Sequence, residues 1–392
     1  MTVRPSPRTT ASGVLAILVA CALALVVAGC AAGAGAADPD PAAAGATATT
    51  ETATVGGEPA RAGEPDAGAP RPSAGCDGGG ASTVGVSHEE MRSDGVARQY
   101  RRFVPASYRA GAPAPLVVDI HGLTMNDDLE AAVTGMEDLA RTEGFLVVTP
   151  QGLGVIPHWN YISSGLASDD VSYIENLVAR VGDDLCIDTS RVYATGISNG
   201  GLMSSALACR LPDVFAAVAP VSGLAKRDGC ATGPPVPIQV TYGTADNVLP
   251  YRGGLGDLLR AFLGSNRLDA SAATPAEQAA EVDRIAFPPV DDSMAAWAAR
   301  DGCAPTATEE RVSDEVIRRS WPDCDGGTEV VLYLVEGGGH SWPGTALGGR
   351  SEDGQTADPA AGGLASVGGH TTQDISATEL AWAFFQRHQL PN

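Results

Sequence analysis

The sequence predicts a doubly wound, mostly parallel α/β sheet, and three observations carry that expectation. From Gln99 onward, short β-branched and aliphatic runs alternate with stretches whose apolar residues recur at helical spacing. One run, Arg191-Val192-Tyr193-Ala194-Thr195, leads straight into Gly196-Ile197-Ser198-Asn199-Gly200-Gly201 and then into the helix formers Leu202 to Ala208. A capping box, Ser376-Ala377-Thr378-Glu379, opens a closing helix that runs to about His388.

The elements follow in order. Gln99 to Val104 reads as an early edge strand, and Leu116 to Ile120 as a buried strand entering His121-Gly122-Leu123. Leu129, Val133, Met136 and Leu139 share one helical face, and Phe145 to Val148 is a second buried strand. Val171, Ile174, Leu177, Val178 and Val181 mark the next helix, before Cys186 and the strand that enters the Gly-flanked turn. Ala216–Ala219, Pro237–Tyr242 and Val330–Val335 complete the strands. Residues 251–288 fit this alternation poorly and read as an insertion above the sheet, either a lid that shapes the site or a passive surface excursion.

The N-terminal region is of another kind. Arg4 and Arg8 precede an apolar run from Val14 to Ala28, the charged and hydrophobic parts of a signal peptide over residues 1–29. Val27-Ala28-Gly29-Cys30 resembles the lipobox of bacterial lipoproteins, which implies lipidation of Cys30. Residues 30–75 are Ala, Gly, Pro, Thr and acid, too poor in large apolar side chains to offset the entropy of ordering, and read as a disordered tether. Residues 76–392 read as one folded domain, which is expected to carry the protein's chemistry. The formal charge of −22 over 392 residues argues against nucleic acid and anionic surfaces as partners. The expected location is extracellular, as an envelope lipoprotein or a secreted monomer whose only membrane attachment is that anchor.

Eight cysteines fit that compartment. Cys21 and Cys30 belong to the leader. Cys303 and Cys324 bracket a hairpin or loop and are expected to pair; Cys76, Cys186, Cys209 and Cys230 leave three pairings open, among them Cys209 with Cys230. No CxxC motif or His cluster points to zinc, and neither a metal nor an organic cofactor is expected.

Strand, strained turn with a central Ser, then helix is the nucleophile elbow of an α/β-hydrolase fold, which lifts the Ser198 hydroxyl above the sheet edge. A serine needs a base, and the base a carboxylate to fix its tautomer, in the chain order Ser, Asp, His. His340 follows a strand and three glycines and is the expected base; His370 lacks a leading strand, His388 ends a helix and His88 precedes the sheet. Asp246, on the turn Tyr242-Gly243-Thr244-Ala245-Asp246 beyond a strand, is the expected acid, ahead of Asp228, Asp291 and Asp292. The Asn199 amide and the Leu123 amide are the expected oxyanion donors, with His121 orienting the latter's loop. Trp159 and Trp342, near the site, are candidates to stack on a substrate ring, with core packing or loop anchoring as the alternative.

Asp119-Ile120-His121-Gly122, Thr149-Pro150-Gln151-Gly152, Asp169-Asp170-Val171, Arg191 to Gly201, Gly243-Thr244-Ala245-Asp246 and Glu336 to Gly344 resemble, as a set, the polyhydroxybutyrate depolymerase and feruloyl esterase family, LpqC-like lipoprotein esterases included. The resemblance runs from about Cys76 to the end. It implies a secreted, disulfide-bonded serine esterase with Ser198, Asp246 and His340 as triad, acting on a small or polymeric ester. A peptidase on the same fold and a non-catalytic surface-binding lipoprotein are the alternatives.

Overall fold

Among the described residues of the computed structural model, ten strands form one sheet, in the order β1-β2-β4-β3-β5-β6-β7-β10-β9-β8. The structure describes residues 68–78, 83–161, 169–225, 233–260, 286–345 and 368–391. The signal peptide, Cys30, nearly all of the tether, Asp228, Cys230 and most of the 251–288 segment lie outside them.

The strands are β1 (Gly85–Ser93), β2 (Val96–Val104), β3 (Ala114–Ile120), β4 (Leu146–Pro150), β5 (Ile187–Ile197), β6 (Ala217–Val221), β7 (Ile238–Gly243), β8 (Thr308–Arg311), β9 (Val316–Trp321) and β10 (Val330–Val335). Strands β4, β3, β5, β6, β7 and β10 run parallel and form the centre, with antiparallel hairpins β1–β2 and β8–β9 at the two edges. The central strands are buried along nearly their whole length, which is why they read as continuous aliphatic runs.

The expectation of an edge strand at 99–104 is corrected here. The strand lies one position inward, because β1 pairs with it from Gly85↔Val104 to Ser93↔Val96. Asp94 and Gly95 make the two-residue connection, both with positive φ (50° and 81°), as a type I′ hairpin turn demands.

Helices lie between the strands: α1 (Asp127–Thr134), α2 (Met136–Glu143), α3 (Asp170–Asp184), α4 (Asn199–Arg210), α5 (Val290–Arg300) and α6 (Ala377–Phe385). The single helix expected through Leu129 and Leu139 is two, broken where Gly135 turns left-handed (φ 61°) and its N–H closes α1 on Ala131 O. Helix α3 buries Val171, Ile174, Leu177, Val178 and Val181 as its spacing predicts, and Asp169 caps it by accepting from the Val171 and Ser172 amides. Ser376 caps α6 by accepting from the Glu379 amide at 3.2 Å.

Disulfides join Cys303 to Cys324, as expected, and Cys76 to Cys186 across 110 residues. Cys209 also stands in a disulfide; Cys230, the partner expected for it, lies outside the described residues. The two ends of the 251–288 segment meet: Gly254 N donates to Phe287 O at 2.8 Å, and Phe287 N returns the bond at 3.2 Å.

Candidate active site

The expected triad and oxyanion residues lie at the carboxyl ends of β3, β5, β7 and β10, and Trp159 lies on the loop after β4. Ser198 follows β5 as the N-cap of α4, at φ 58° and ψ −117°, a conformation strained for a residue with a Cβ. The close approach beneath it explains the glycines: a Cβ on Gly200 would sit 1.8 Å from Ile120 O, and one on Gly196 2.2 Å from the same atom. The Ser198 amide is held by Val221 O of β6 at 2.9 Å.

Asp246 follows β7 and its side chain is fully buried. One oxygen, Oδ1, accepts from the Val248 and Leu249 amides at 2.8 Å each; the other, Oδ2, meets His340 Nδ1 at 2.7 Å. The turn bonds that a lone turn aspartate makes are therefore present here together with the bond to the imidazole. A carboxylate on Nδ1 keeps the proton there and leaves Nε2 as the basic nitrogen.

His340 sits on the loop after β10, and the loop is tied down on both sides. Ala245 N donates to Gly338 O (2.8 Å), Gly339 N to His370 O (2.8 Å) and His340 N to Gly368 O (2.5 Å). Ser222, one residue past β6, reaches Ser341 O at 3.4 Å. The elbow, the acid turn and the histidine loop are thus joined through β6.

The two expected oxyanion amides, Leu123 N and Asn199 N, have no acceptor among the described residues. His121 beside them is fully buried and bonds at both nitrogens: Nδ1 donates to Gly122 O at 2.8 Å, and Nε2 accepts from the Gly152 amide at 2.9 Å. Burial pulls its pKa from 6.5 down to about 4, so it stays neutral and stitches the loop after β3 to the loop after β4.

The tryptophans take the second of the two roles that the sequence leaves open. Trp159 is 2% and Trp342 1% exposed, which leaves neither ring face open to a substrate. Trp159 Nε1 donates to His121 O (2.8 Å), and Trp342 Nε1 to Thr378 Oγ1 (2.9 Å). Both are anchors of active-site loops, and the stacking role is withdrawn.

The remaining candidates fall elsewhere. His370 pairs with Glu315 (2.8 Å), Asp291 with Arg319 (2.8 Å), and His388 lies near Glu329 (3.4 Å). Asp292 is an exposed residue of α5. His88, Asp127 and Asp128 bring three ligand atoms within 4.8 Å of one another, but Arg101 already neutralises Asp128 at 2.7 Å.

A mostly parallel sheet with a strained serine at the mouth of a helix defines an α/β-hydrolase. The family profile described as Esterase PHB depolymerase matches residues 99–232. Feruloyl esterase B of Piromyces equi is 28% identical over 244 residues, 60% of this chain and 41% of the relative. A probable feruloyl esterase C of Aspergillus flavus is 34% identical over 197 residues, 48% of this chain and 70% of the relative. The chain belongs to this polyhydroxybutyrate depolymerase and feruloyl esterase family, while spanning less than half the length of the Piromyces enzyme. Among solved structures, the acetyl xylan esterase from Aspergillus awamori aligns at 17% identity over 65% of this chain and 94% of its own, with a TM-score of 0.45.

Proposed function

We propose that the protein is an exported serine hydrolase of carboxylic esters, with Ser198 as nucleophile, His340 as base and Asp246 as the residue that orients it. The observation that carries this reading is the 2.7 Å contact between the buried Asp246 carboxylate and His340 Nδ1, made by loops joined to the Ser198 elbow.

The reaction runs in two halves. His340 Nε2 takes the Ser198 proton as Oγ attacks the ester carbonyl, and the tetrahedral oxyanion is met by the Leu123 and Asn199 amides. The intermediate collapses, the C–O bond to the alcohol breaks, and the alcohol leaves with the proton from His340. Water, deprotonated by the same nitrogen, then attacks the acyl-enzyme; the acid departs and Ser198 regains its proton. Family relatives named as feruloyl esterases support an aromatic acyl group as substrate. Disulfides support export, and the Cys30 lipobox supports a lipid anchor.

The test compares kcat/KM of the protein and of Ser198→Ala on p-nitrophenyl acetate, methyl ferulate and a hydroxybutyrate oligomer, with fluorophosphonate labelling of both. Turnover and labelling lost in Ser198→Ala support the assignment, and the ranking names the ester. Equal turnover in both proteins overturns it. Absence of both turnover and labelling favours a surface-binding lipoprotein.

A further inference from the structure

Two carboxyl groups lie fully buried behind the oxyanion loop, and the chemistry described above does not use them. Asp119, two residues before His121 on β3, and Glu130, on α1, are each 0% exposed. Asp119 Oδ2 accepts from Thr134 Oγ1 at 2.6 Å, while Asp119 Oδ1 and both Glu130 oxygens lack any hydrogen-bond donor. The Gly122 and Ile197 amides bear on the Glu130 carboxyl without closing a hydrogen bond. Those amides belong to the residues directly before Leu123 and Ser198.

Two ionised carboxylates without a donor between them cannot persist in a dry interior. The missing donor is a proton on one of the carboxyls themselves. We propose that Asp119 and Glu130 share one proton, and that Glu130 in this paired state is a positioning residue for both the oxyanion loop and the nucleophile.

The pair is also wired to the third member of the site. Thr134, which donates to Asp119, accepts through its carbonyl from Thr378 Oγ1, and Thr378 Oγ1 accepts from Trp342 Nε1 at 2.9 Å. Trp342 lies two residues past His340. The observed bonds run from Asp119 through Thr134 and Thr378 to Trp342, every one of these side chains is buried, and Glu130 lies one helical turn before Thr134 on α1. The carboxyl pair and the bonds that hold it thus lie beside the backbone next to Leu123, Ser198 and His340.

Burial raises both carboxyls, Glu130 well above its ordinary value, and the Asp119 charge pushes Glu130 further up. The other charge that bears on Asp119 is Glu137 of α2, itself held by Arg101 of β2 at 2.7 and 3.0 Å. The folded protein thus keeps a proton that the unfolded chain has lost by about pH 4.5. Stability from this source is complete below that pH and declines as pH rises toward the folded values. Loss of the shared proton leaves two facing charges and pushes α1 from β3.

The catalytic readout rests on the esterase reading; the stability readout does not. The experiment uses the protein with Glu130→Gln, Asp119→Asn and Glu130→Leu, and follows Tm from pH 4.5 to 9.5 together with kcat and KM. Glu130→Gln and Asp119→Asn carry a permanent donor, so their Tm advantage over the parent grows with pH and their alkaline fall in kcat disappears. Glu130→Leu lowers kcat about tenfold or more with KM little changed, and Glu130→Gln recovers most of that loss. A Tm difference independent of pH, or an alkaline fall that persists in both amide variants, overturns the proposal. Should the parent neither hydrolyse esters nor label with fluorophosphonate, the esterase reading fails while the Tm comparison still decides the carboxyl pair.

Discussion

Asn199 grips the backbone of Trp159 from both sides: its Oδ1 accepts the Trp159 N–H at 2.6 Å, and its Nδ2 donates to the Trp159 carbonyl at 3.2 Å. The residue whose amide is proposed as an oxyanion donor therefore uses its side chain to fix the loop after β4. Asn199→Ala removes both bonds and keeps the amide. At about 1 kcal/mol for each bond, it is expected to destabilise the protein by about 2 kcal/mol. We expect kcat to drop about tenfold as the elbow loses its brace. Amide hydrogen exchange should rise in residues 151–161; unchanged exchange there would contradict the bracing role.

Asp246→Asn retains an acceptor for the Val248 and Leu249 amides but no longer holds the Nδ1 proton of His340. The expected outcome is a folded protein with kcat lower by about ten-thousandfold. Near-parental kcat in a variant with parental Tm would remove Asp246 from the triad.

The Cys303–Cys324 and Cys76–Cys186 disulfides should differ in what their loss costs. On the chain-entropy model, Cys303–Cys324, closing 21 residues, contributes about 3 kcal/mol, and Cys76–Cys186, closing 110, about 4.7 kcal/mol. Urea unfolding of Cys303→Ala/Cys324→Ala and Cys76→Ala/Cys186→Ala checks the order. A reversed order would show that the unfolded chain is not behaving as a free coil.

Acid acts through His121. Burial lowers its pKa from 6.5 to about 4, so between those values the unfolded chain takes up a proton that the folded protein refuses. Stability from this residue is full above pH 6.5 and is lost progressively as pH falls to about 4. Calorimetry from pH 7.5 to 4 should show Tm declining through that window, and His121→Gln should flatten the decline. An unchanged slope in the variant would place the acid sensitivity elsewhere.

Glu329 governs a lower window. Although burial pushes its carboxyl up, the His388 imidazole at 3.4 Å and the Arg387 guanidinium, bonded at 2.9 and 3.1 Å, hold it at about 2. Its contribution persists above the ordinary value of 4.5 and is lost as pH falls toward about 2. Glu329→Gln should shift the midpoint of acid unfolding upward, and an unmoved midpoint would show that the contact carries no net stability.

Much of this architecture was legible because the residues that build it admit little else. The elbow glycines answer a backbone approach that no Cβ survives, and Asp246 and His340 sit where strands end, as chain order demands. Other features left weaker marks. Asp94-Gly95 is a hairpin signal, yet β1 beside it alternates exposed and half-buried residues and offers no aliphatic run. Gly135 interrupts a helical spacing that continues undisturbed on either side. The tryptophans sit near the catalytic residues in the chain, but proximity in sequence says nothing about which way an indole faces. Glu130 was hidden by its company: within Asp127-Asp128-Leu129-Glu130 it looks like one more solvated acid in a first turn, and only packing of α1 on β3 reveals it as buried.

The reciprocal bonds between Gly254 and Phe287 have a consequence for engineering. Clasping the entrance and exit fixes where the chain between them leaves and rejoins the domain. Leu255, just inside the clasp, still enters the core, and a Cβ on Gly256 would sit 1.8 Å from Asn247 O, beside Asp246, so these two residues belong with the sheet. Chimaeras that exchange this segment for a relative's version are therefore best cut beyond Gly256 and before Phe287.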